Sequence, residues 1–254
     1  MSPSDKQFAR PLQPDANTLC GLLVIDKPEG MSSFGVVARV RRRAGRAKTG
    51  HAGTLDPLAT GILVIAVGRA TRSIDLLMAT DKRYRTEVDL SAFTTTDDRE
   101  GERREIACES PPSEDAIRSA LHSIERSVEQ KPPAFSAIKV DGQRSYRLAR
   151  AGEPPDLPPR PVRIDAIHLV SYSWPIVDLD IQCGKGTYIR SIARDLGVAL
   201  GTGGHCRSLR RTAVGPFDES IARHLDSLPD PLSQHDLIAL DEALALVDSS
   251  RTLR

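Results

Sequence analysis

Gly50-His51-Ala52-Gly53-Thr54-Leu55-Asp56-Pro57-Leu58-Ala59-Thr60-Gly61 runs directly into the apolar stretch Ile62-Leu63-Val64-Ile65-Ala66-Val67. A turn crowded with glycine and proline, and carrying one carboxylate, therefore feeds a buried strand. Glycine lets the backbone take positive φ and lets a ligand approach closely. Pro57 fixes its own φ and pushes Asp56 toward extended conformations. A stiff frame of this kind is how a nucleophile or general base is presented. A solvated aspartate in a tight turn is the plainer reading of any single Asp-Pro pair. The length of this segment, and the strand that follows it, favour the chemical reading.

Working outward, Leu19-Cys20-Gly21-Leu22-Leu23-Val24-Ile25 reads as a buried strand ending at Asp26-Lys27-Pro28. Ser32 or Ser33 then caps a helix with Val36, Val37, Val40 and Ala44 on one side. Ala70, Ile74, Leu77 and Met78 mark an amphipathic helix. Tyr84, Thr86, Val88, Leu90 and Ala92 alternate with Arg83, Arg85, Glu87 and Asp89, a half-buried strand with Tyr84 on its apolar side. Residues 93–105 read as a polar loop. Ser113 caps a helix with Ile117, Ala120, Leu121 and Ile124 inward, and a short helix from Arg144 to Ala151 stops at Gly152. Prolines make residues 154–161 a surface crossing. Val177, Leu179, Ile181 and Cys183 form another strand, ending at Gly184-Lys185-Gly186; Thr187 is expected to cap the next helix, which Gly201 closes. A last helix covers Ala239 to Val247. Strands and helices do not alternate strictly, so the expected class is α+β with a mixed, largely antiparallel sheet flanked by helices.

At 254 residues the chain reads as one large domain, or one domain with a small appendage. The expected division is a disordered polar tail over 1–18, a catalytic domain over 19–215 and a short helical extension over 216–254. The tail has no apolar core and so does not read as a signal peptide. No apolar run is long enough to cross a membrane. The four cysteines are far apart, which excludes a C-x-x-C metal motif and a disulfide framework and fits a reducing cytoplasm. The six histidines form no H-x-x-x-H pair, so no metal site is expected. Gly45-Arg46-Ala47-Lys48-Thr49 lacks the full frame of a phosphate-binding P-loop.

A net charge of +1 excludes a globally basic nucleic-acid binder. The charge is nonetheless clustered: Arg39, Arg41, Arg42, Arg43, Arg46 and Lys48 precede the Asp56 turn, and Arg207, Arg210 and Arg211 form a second group. Such stripes are either footprints for phosphate or solvated faces. The Lys185-Gly186-Thr187-Tyr188-Ile189-Arg190 turn places Tyr188 and Arg190 at a helix start, which attracts anions. An arginine beside a carboxylate favours the charged form, and aromatic rings stack on extruded bases. A carboxylate, an arginine and two tyrosines thus suit a nucleotide substrate. Tyr84 also reads as a core tyrosine, Arg190 as a structural ion-pair partner, and Lys27 as a turn lysine.

These stretches resemble the ordered motifs of the TruB-type tRNA pseudouridine synthases. Asp26-Lys27-Pro28-Glu29-Gly30-Met31-Ser32-Ser33 and the segment from Gly50 to Gly61 are similar to the first motifs. Asp81-Lys82-Arg83-Tyr84-Arg85, the segment from Gly184 to Ser191, and Leu209-Arg210-Arg211-Thr212 are similar to those that follow. The resemblance implies a pseudouridine synthase fold and conversion of uridine 55 in the T-arm loop of tRNA to pseudouridine, with the target base flipped out. It implies Asp56 as the nucleophile, without metal or cofactor. His51 resembles the histidine that holds the flipped nucleotide, Tyr84 the tyrosine that stacks on the base, and Arg190 the partner of the aspartate. Tyr188 and Leu209 match residues lining the base pocket; Lys27 and Pro28 match a motif supporting the active-site loop. No site residue is drawn from residues 93–105. The resemblance further implies a monomer in the cytoplasm, with tRNA as partner and no membrane. Many relatives end in a small RNA-binding PUA domain, for which the residues after Gly215 are expected to be too few. Guide-RNA-dependent relatives share the Gly-His-x-Gly-Thr-Leu-Asp-Pro core, and Leu58-Ala59-Thr60 argues against them. A tRNA-folding protein without catalysis is the rival from another class.

Overall fold

A computed structural model describes residues 19–252. The expected tail over 1–18 lies outside the described residues. Strand β1 (Gly21–Lys27) is followed by helix α1 (Ser33–Arg43), a short strand β2 (Thr49–His51) and strand β3 (Thr60–Val67). β1 and β3 pair antiparallel along their length, from Gly21 opposite Val67 to Lys27 opposite Gly61. Both are continuous apolar runs because both of their faces are covered. Leu23, Ile25, Leu63 and Ile65 pack with Val36, Val37 and Val40 of α1. Leu22, Val24, Ile62 and Val64 pack on the other side with Leu77, Phe217, Ala243 and Val247. Ser32 caps α1, its hydroxyl accepting from the Gly35 amide, so the cap falls on the first of the two serines.

The amphipathic segment after β3 divides into a 3₁₀ stretch, Gly68–Ser73, and a five-residue helix α2 (Ile74–Met78). β4 (Lys82–Asp89) then enters the sheet, followed by a small ribbon of β5 (Ala92–Thr94) and β6 (Arg103–Glu105). Residues 93–105, expected as a loop, are therefore partly strand; polar composition concealed a pair whose residues on β6 are all exposed. Helix α3 (Glu114–Glu125) carries the expected Ser113 cap and inward face. β7 (Glu129–Gln130) and β10 (Arg160–Pro161) pair at the base of an excursion that holds the hairpin β8 (Lys139–Val140) and β9 (Gln143–Arg144) and helix α4 (Ser145–Arg150).

β11 (Ile164–Ser173), β12 (Ile176–Cys183), helix α5 (Ile189–Leu200) and β13 (His205–Val214) follow. The main sheet runs β11-β12-β4-β13-β3-β1, and β13 pairs parallel with β3 while most other neighbours are antiparallel. This is the expected α+β class with a mixed, largely antiparallel sheet. β4 and β12 alternate because α3 and α5 cover one face only: Tyr84, Val88, Val177, Leu179 and Ile181 pack against Ile117, Leu121, Ile192 and Leu196. Arg83 and Arg85 point out on the other face. Asp89, read from sequence as alternating with the apolar residues, is buried and accepts from the Ser91 amide and hydroxyl. Thr187 does not cap α5. Tyr188 occupies the cap position without a side-chain bond, and the Thr187 hydroxyl donates instead to the Arg163 carbonyl.

The stretch after Gly215 contributes more than a helix. It forms β14 (Phe217–Asp218) on β13, β15 (Arg223–His224) parallel to β1, and α6 (Leu240–Thr252). Leu225, Leu228, Leu232 and Leu237 join the core beneath α1. Among the described residues, no helix is long and apolar enough to cross a membrane.

Candidate active site

The Asp56 segment is held from three directions. The Asp56 carbonyl accepts from the Ala59 amide, closing a turn with Pro57 at its first corner. Leu55, Leu58 and Ala59 plug into the core under α3 and α5, anchoring the turn by burial. Ser33, the first residue of α1, both donates to the Leu55 carbonyl at 3.0 Å and accepts from the Leu55 amide at 2.8 Å. Gly61, with φ of +97°, lies against β13 so closely that a Cβ would meet the Arg211 carbonyl oxygen at 2.2 Å. That approach explains the glycine at the strand entry.

Lys27 and Pro28 line neither cavity described below. The fully buried Lys27 ammonium donates to the carbonyls of Pro28 at 2.9 Å, Met31 at 2.6 Å and Pro57 at 3.2 Å. Three donors meet three carbonyls, and the turn after β1 is bolted to the turn after Asp56. Burial pushes the Lys27 pKa down to about 8, opposed by the nearby Asp56 charge.

A cavity of about 260 Å³ opens above Asp56, lined by Tyr84, Tyr188, Arg190, Leu209 and Lys82. Tyr84 comes from β4, Leu209 from β13, and Tyr188 and Arg190 from the start of α5. Burial pushes the hydroxyl pKa of both tyrosines up, so both stay protonated donors near neutral pH. His51 is on β2 and faces a second, outer groove of about 700 Å³ that shares Asp56 and Arg190 with the first cavity. Its pKa is lowered by burial and by the Arg211 charge. Five of the residues singled out from sequence thus meet in one cavity, and His51 lines the outer groove that Asp56 also borders.

Arg190 joins the site together. Its side chain is only 5% exposed and lies 2.9 Å from Asp56 Oδ2 and 3.3 Å from Asp98 Oδ2. It also donates to the carbonyls of Thr96 and Phe135, each at 2.8 Å. A planar guanidinium with five donors serves this fork where a lysine could not. Asp98 escaped the sequence reading because residues 93–105 offered only a run of threonines and acids. Its carboxylate is buried and accepts from Thr96 Oγ1 at 2.6 Å and the Glu100 amide at 3.0 Å. Gln130 also escaped. Its amide accepts from the Tyr188 N–H at 2.9 Å and donates to the Tyr188 carbonyl at 3.1 Å.

The two basic clusters resolve differently. Arg211 is buried with no carboxylate partner among the described residues, donating to the carbonyls of Ile62 and Gly53. Arg210 is paired with Asp26 and Glu219, and Arg207 lies 3.8 Å from Glu87. The phosphate footprint suggested for this cluster is therefore replaced by a structural role, because a central strand turns one arginine into the core. In the first cluster Arg39, Arg42 and Arg43 reach Asp226, Asp230 and the Leu225 carbonyl, while Arg41, Arg46 and Lys48 remain exposed. Among the described residues no cluster of His, Cys, Asp and Glu could hold a metal ion.

Comparison with known proteins gives the family of the chain. The sequence model of the TruB family pseudouridylate synthase N-terminal domain matches residues 41–189, and that of the tRNA pseudouridylate synthase B C-terminal domain matches 190–250. The chain is 47% identical over 229 residues to tRNA pseudouridine synthase B of Corynebacterium efficiens, covering 89% of this chain and 76% of that protein. It is 46% identical to the protein of the same name from Gluconobacter oxydans, covering 92% and 67%. Its fold is similar to that in the crystal structure of a Cbf5-Nop10-Gar1 complex, with a TM-score of 0.69 at 26% identity, covering 93% of this chain and 64% of that one. It is also similar to an H/ACA RNP bound to a substrate RNA containing 2′-deoxyuridine, with a TM-score of 0.63 at 25% identity, covering 89% and 61%. With the two family models together spanning the site and most of the fold, the chain belongs to the TruB family of pseudouridylate synthases.

Proposed function

We propose that this protein isomerises a uridine of tRNA to pseudouridine, acting on position 55 in the T-arm loop with Asp56 as the nucleophile. The observation that carries the reading is the Asp56–Arg190 pair at 2.9 Å beside a cavity walled by two protonated tyrosines. In the reaction the C1′–N1 bond of uridine breaks and a C1′–C5 bond forms. The C5 proton is released and N1 takes up a proton, so no redox step or outside group is needed. Among the described residues Asp56 is the one carboxylate that lines the base cavity; the bond it forms to the substrate holds while the uracil turns and is broken again once the C1′–C5 bond has formed, which returns the free carboxylate. Arg190 holds that carboxylate in line and matches its charge. Tyr84 stacks on the base, Tyr188 and Leu209 close its pocket, and His51 holds the flipped nucleotide from the outer groove. Lys27 and Pro28 act through the loop. Flipping the base costs a few kcal/mol, which stacking and phosphate contacts offset.

The catalytic domain over 19–215 carries these residues, with tRNA as the partner of a monomeric, cytoplasmic enzyme. Arg41, Arg46 and Lys48 supply contacts to the RNA backbone. The test is single-turnover conversion of an unmodified tRNA transcript without guide RNA, mapping modified positions for the natural protein and Asp56→Ala. Pseudouridine at the T-loop uridine with the natural protein alone supports the reading; equal product from Asp56→Ala sinks it.

A further inference from the structure

Lys82 is a buried cation on the wall of the base cavity. Its ammonium donates to the Met78 carbonyl at 2.5 Å, at the end of α2, and to the Thr80 carbonyl in the turn that follows. An ammonium has three donors, and the protein takes two. No carboxylate pairs with it among the described residues. Its charged neighbours are Arg211 from β13 and Lys185 from the turn before α5, both of like sign. Cys183, opposite it on β12, is a thiol pushed up to about 12 by burial, so it stays neutral. Burial, with Arg211 and Lys185 beside it, holds the Lys82 pKa at about 8. A buried charge in such company is unfavourable, and an apolar side chain of similar volume would avoid the penalty. The other two cations on the cavity wall differ. Arg190 is matched by Asp56 and Asp98, and Lys185 is exposed.

Position gives this charge a use. Lys82 and Tyr84 are two apart on β4, so both side chains leave the same face of the strand, about 7 Å apart along it. A base stacked on Tyr84 then presents an edge toward Lys82. The proposed reaction moves charge across the cavity. When Asp56 bonds to the substrate, its carboxylate becomes an ester and the base gains an electron pair. If the new bond is to C1′, the pair of the breaking C1′–N1 bond stays on uracil; if it is to C6, the ring becomes an enolate. Either way the negative charge leaves Asp56, where Arg190 matched it, and spreads onto the uracil carbonyl oxygens. We infer that the Lys82 ammonium donates to one of those oxygens and holds the charge that the base carries before its new bond to C1′ is complete. The inference rests on the proposed reaction at Asp56 and adds a group to it. A preorganised donor aimed at developing charge in a water-poor site is among the strongest devices for lowering a barrier. The ammonium keeps its proton throughout, and the protons exchanged are those at C5 and N1.

The test is single-turnover conversion of tRNA carrying uridine, 2-thiouridine or 4-thiouridine at the target, from about pH 6.5 to about 9.5, with the natural protein, Lys82→Met and Lys82→Gln. Unfolding midpoints and RNA affinity are measured on the same samples. Lys82→Met is expected to slow conversion of uridine roughly 100-fold or more, with little change in affinity. Sulfur accepts hydrogen bonds poorly. One of the two thio substitutions should therefore slow the natural protein roughly tenfold more than it slows Lys82→Met, and it identifies the oxygen. The natural rate should fall as pH rises past about 8, where the ammonium loses its proton, and both variants should lack that fall. Titration of uracil N3, Tyr84 and Tyr188 is common to all three proteins. A folded variant that keeps the natural rate, that falls with pH as the natural protein does, or that shows the same thio effects overturns the role of Lys82 and leaves the reaction at Asp56 standing. Where neither variant folds, equal natural rates on the three substrates overturn it. No product from the natural protein at any pH overturns the reaction and the role of Lys82 together.

Discussion

Arg190 Nη2 is 2.9 Å from Asp56 Oδ2, and the same guanidinium is almost wholly buried while the aspartate side chain is 37% exposed. The arginine is therefore part of the fold, and the carboxylate is the end of the pair that meets substrate. Asp98 shares the buried charge from behind, which leaves Asp56 free to change partner without stranding Arg190.

Removing the exposed end should therefore separate chemistry from stability. Asp56→Ala is expected to lower the single-turnover rate by roughly 10⁴-fold or more. Its thermal midpoint and affinity for the RNA should stay near those of the natural protein. Parallel calorimetry and filter binding check this.

Removing the buried acid behind the pair should do both kinds of damage. Asp98→Ala leaves the buried guanidinium with only the partly exposed Asp56 as counter-ion, at a cost of about 1.5–3 kcal/mol for the lost charged contact. It also frees the loop that presents the Thr96 carbonyl to Arg190. Activity should fall roughly 100-fold through misplacement of Arg190 and Asp56. Urea unfolding together with the single-turnover rate tests this; unchanged stability would contradict the assigned role of Asp98.

Gln130 clamps both backbone groups of Tyr188. Gln130→Leu leaves the half-buried Tyr188 N–H without its partner and its carbonyl with the Ile192 amide alone, costing about 1–3 kcal/mol for the N–H. Tyr188 then loses its setting at the cavity wall. The expected signature is a raised KM for the RNA with a smaller change in kcat.

Lys27 gives a pH dependence with a definite sign. Its folded pKa is about 8 against an ordinary 10.5. Between those values the unfolded chain holds the proton and the folded chain does not, so stability contributed by this group rises with pH. Below about pH 8 the full cost of burying the charge is present. Relative to Lys27→Met, the natural protein should gain stability from pH 8 to 10.5 and remain level below pH 7. Unfolding midpoints measured across that range decide it, and a flat difference would rule it out. Lys82, also held at about 8 by burial, adds a similar slope that the comparison cancels.

Much of the architecture was legible from periodicity. β1 and β3 read as unbroken apolar runs, and β4 and β12 as alternating ones, because the first pair is covered on two faces and the second on one. The caps at Ser32 and Ser113 were legible because a hydroxyl before an apolar period has a local purpose. β13 was not, since its centre is Leu209-Arg210-Arg211 and only the sheet decides which arginine goes inward.

The sequence by itself determined the Asp56 turn, the two tyrosines and the arginine as chemical groups, because glycine and proline constraints and side-chain chemistry are local properties. The tertiary structure decided which groups act together. Asp98 meets Arg190 at a sequence offset of 92, and Gln130 meets Tyr188 at one of 58. Ser33 meets Leu55 across 22. Those partners are brought together by sheet order and by burial, which are summed over the whole chain and leave no mark in any short stretch of it.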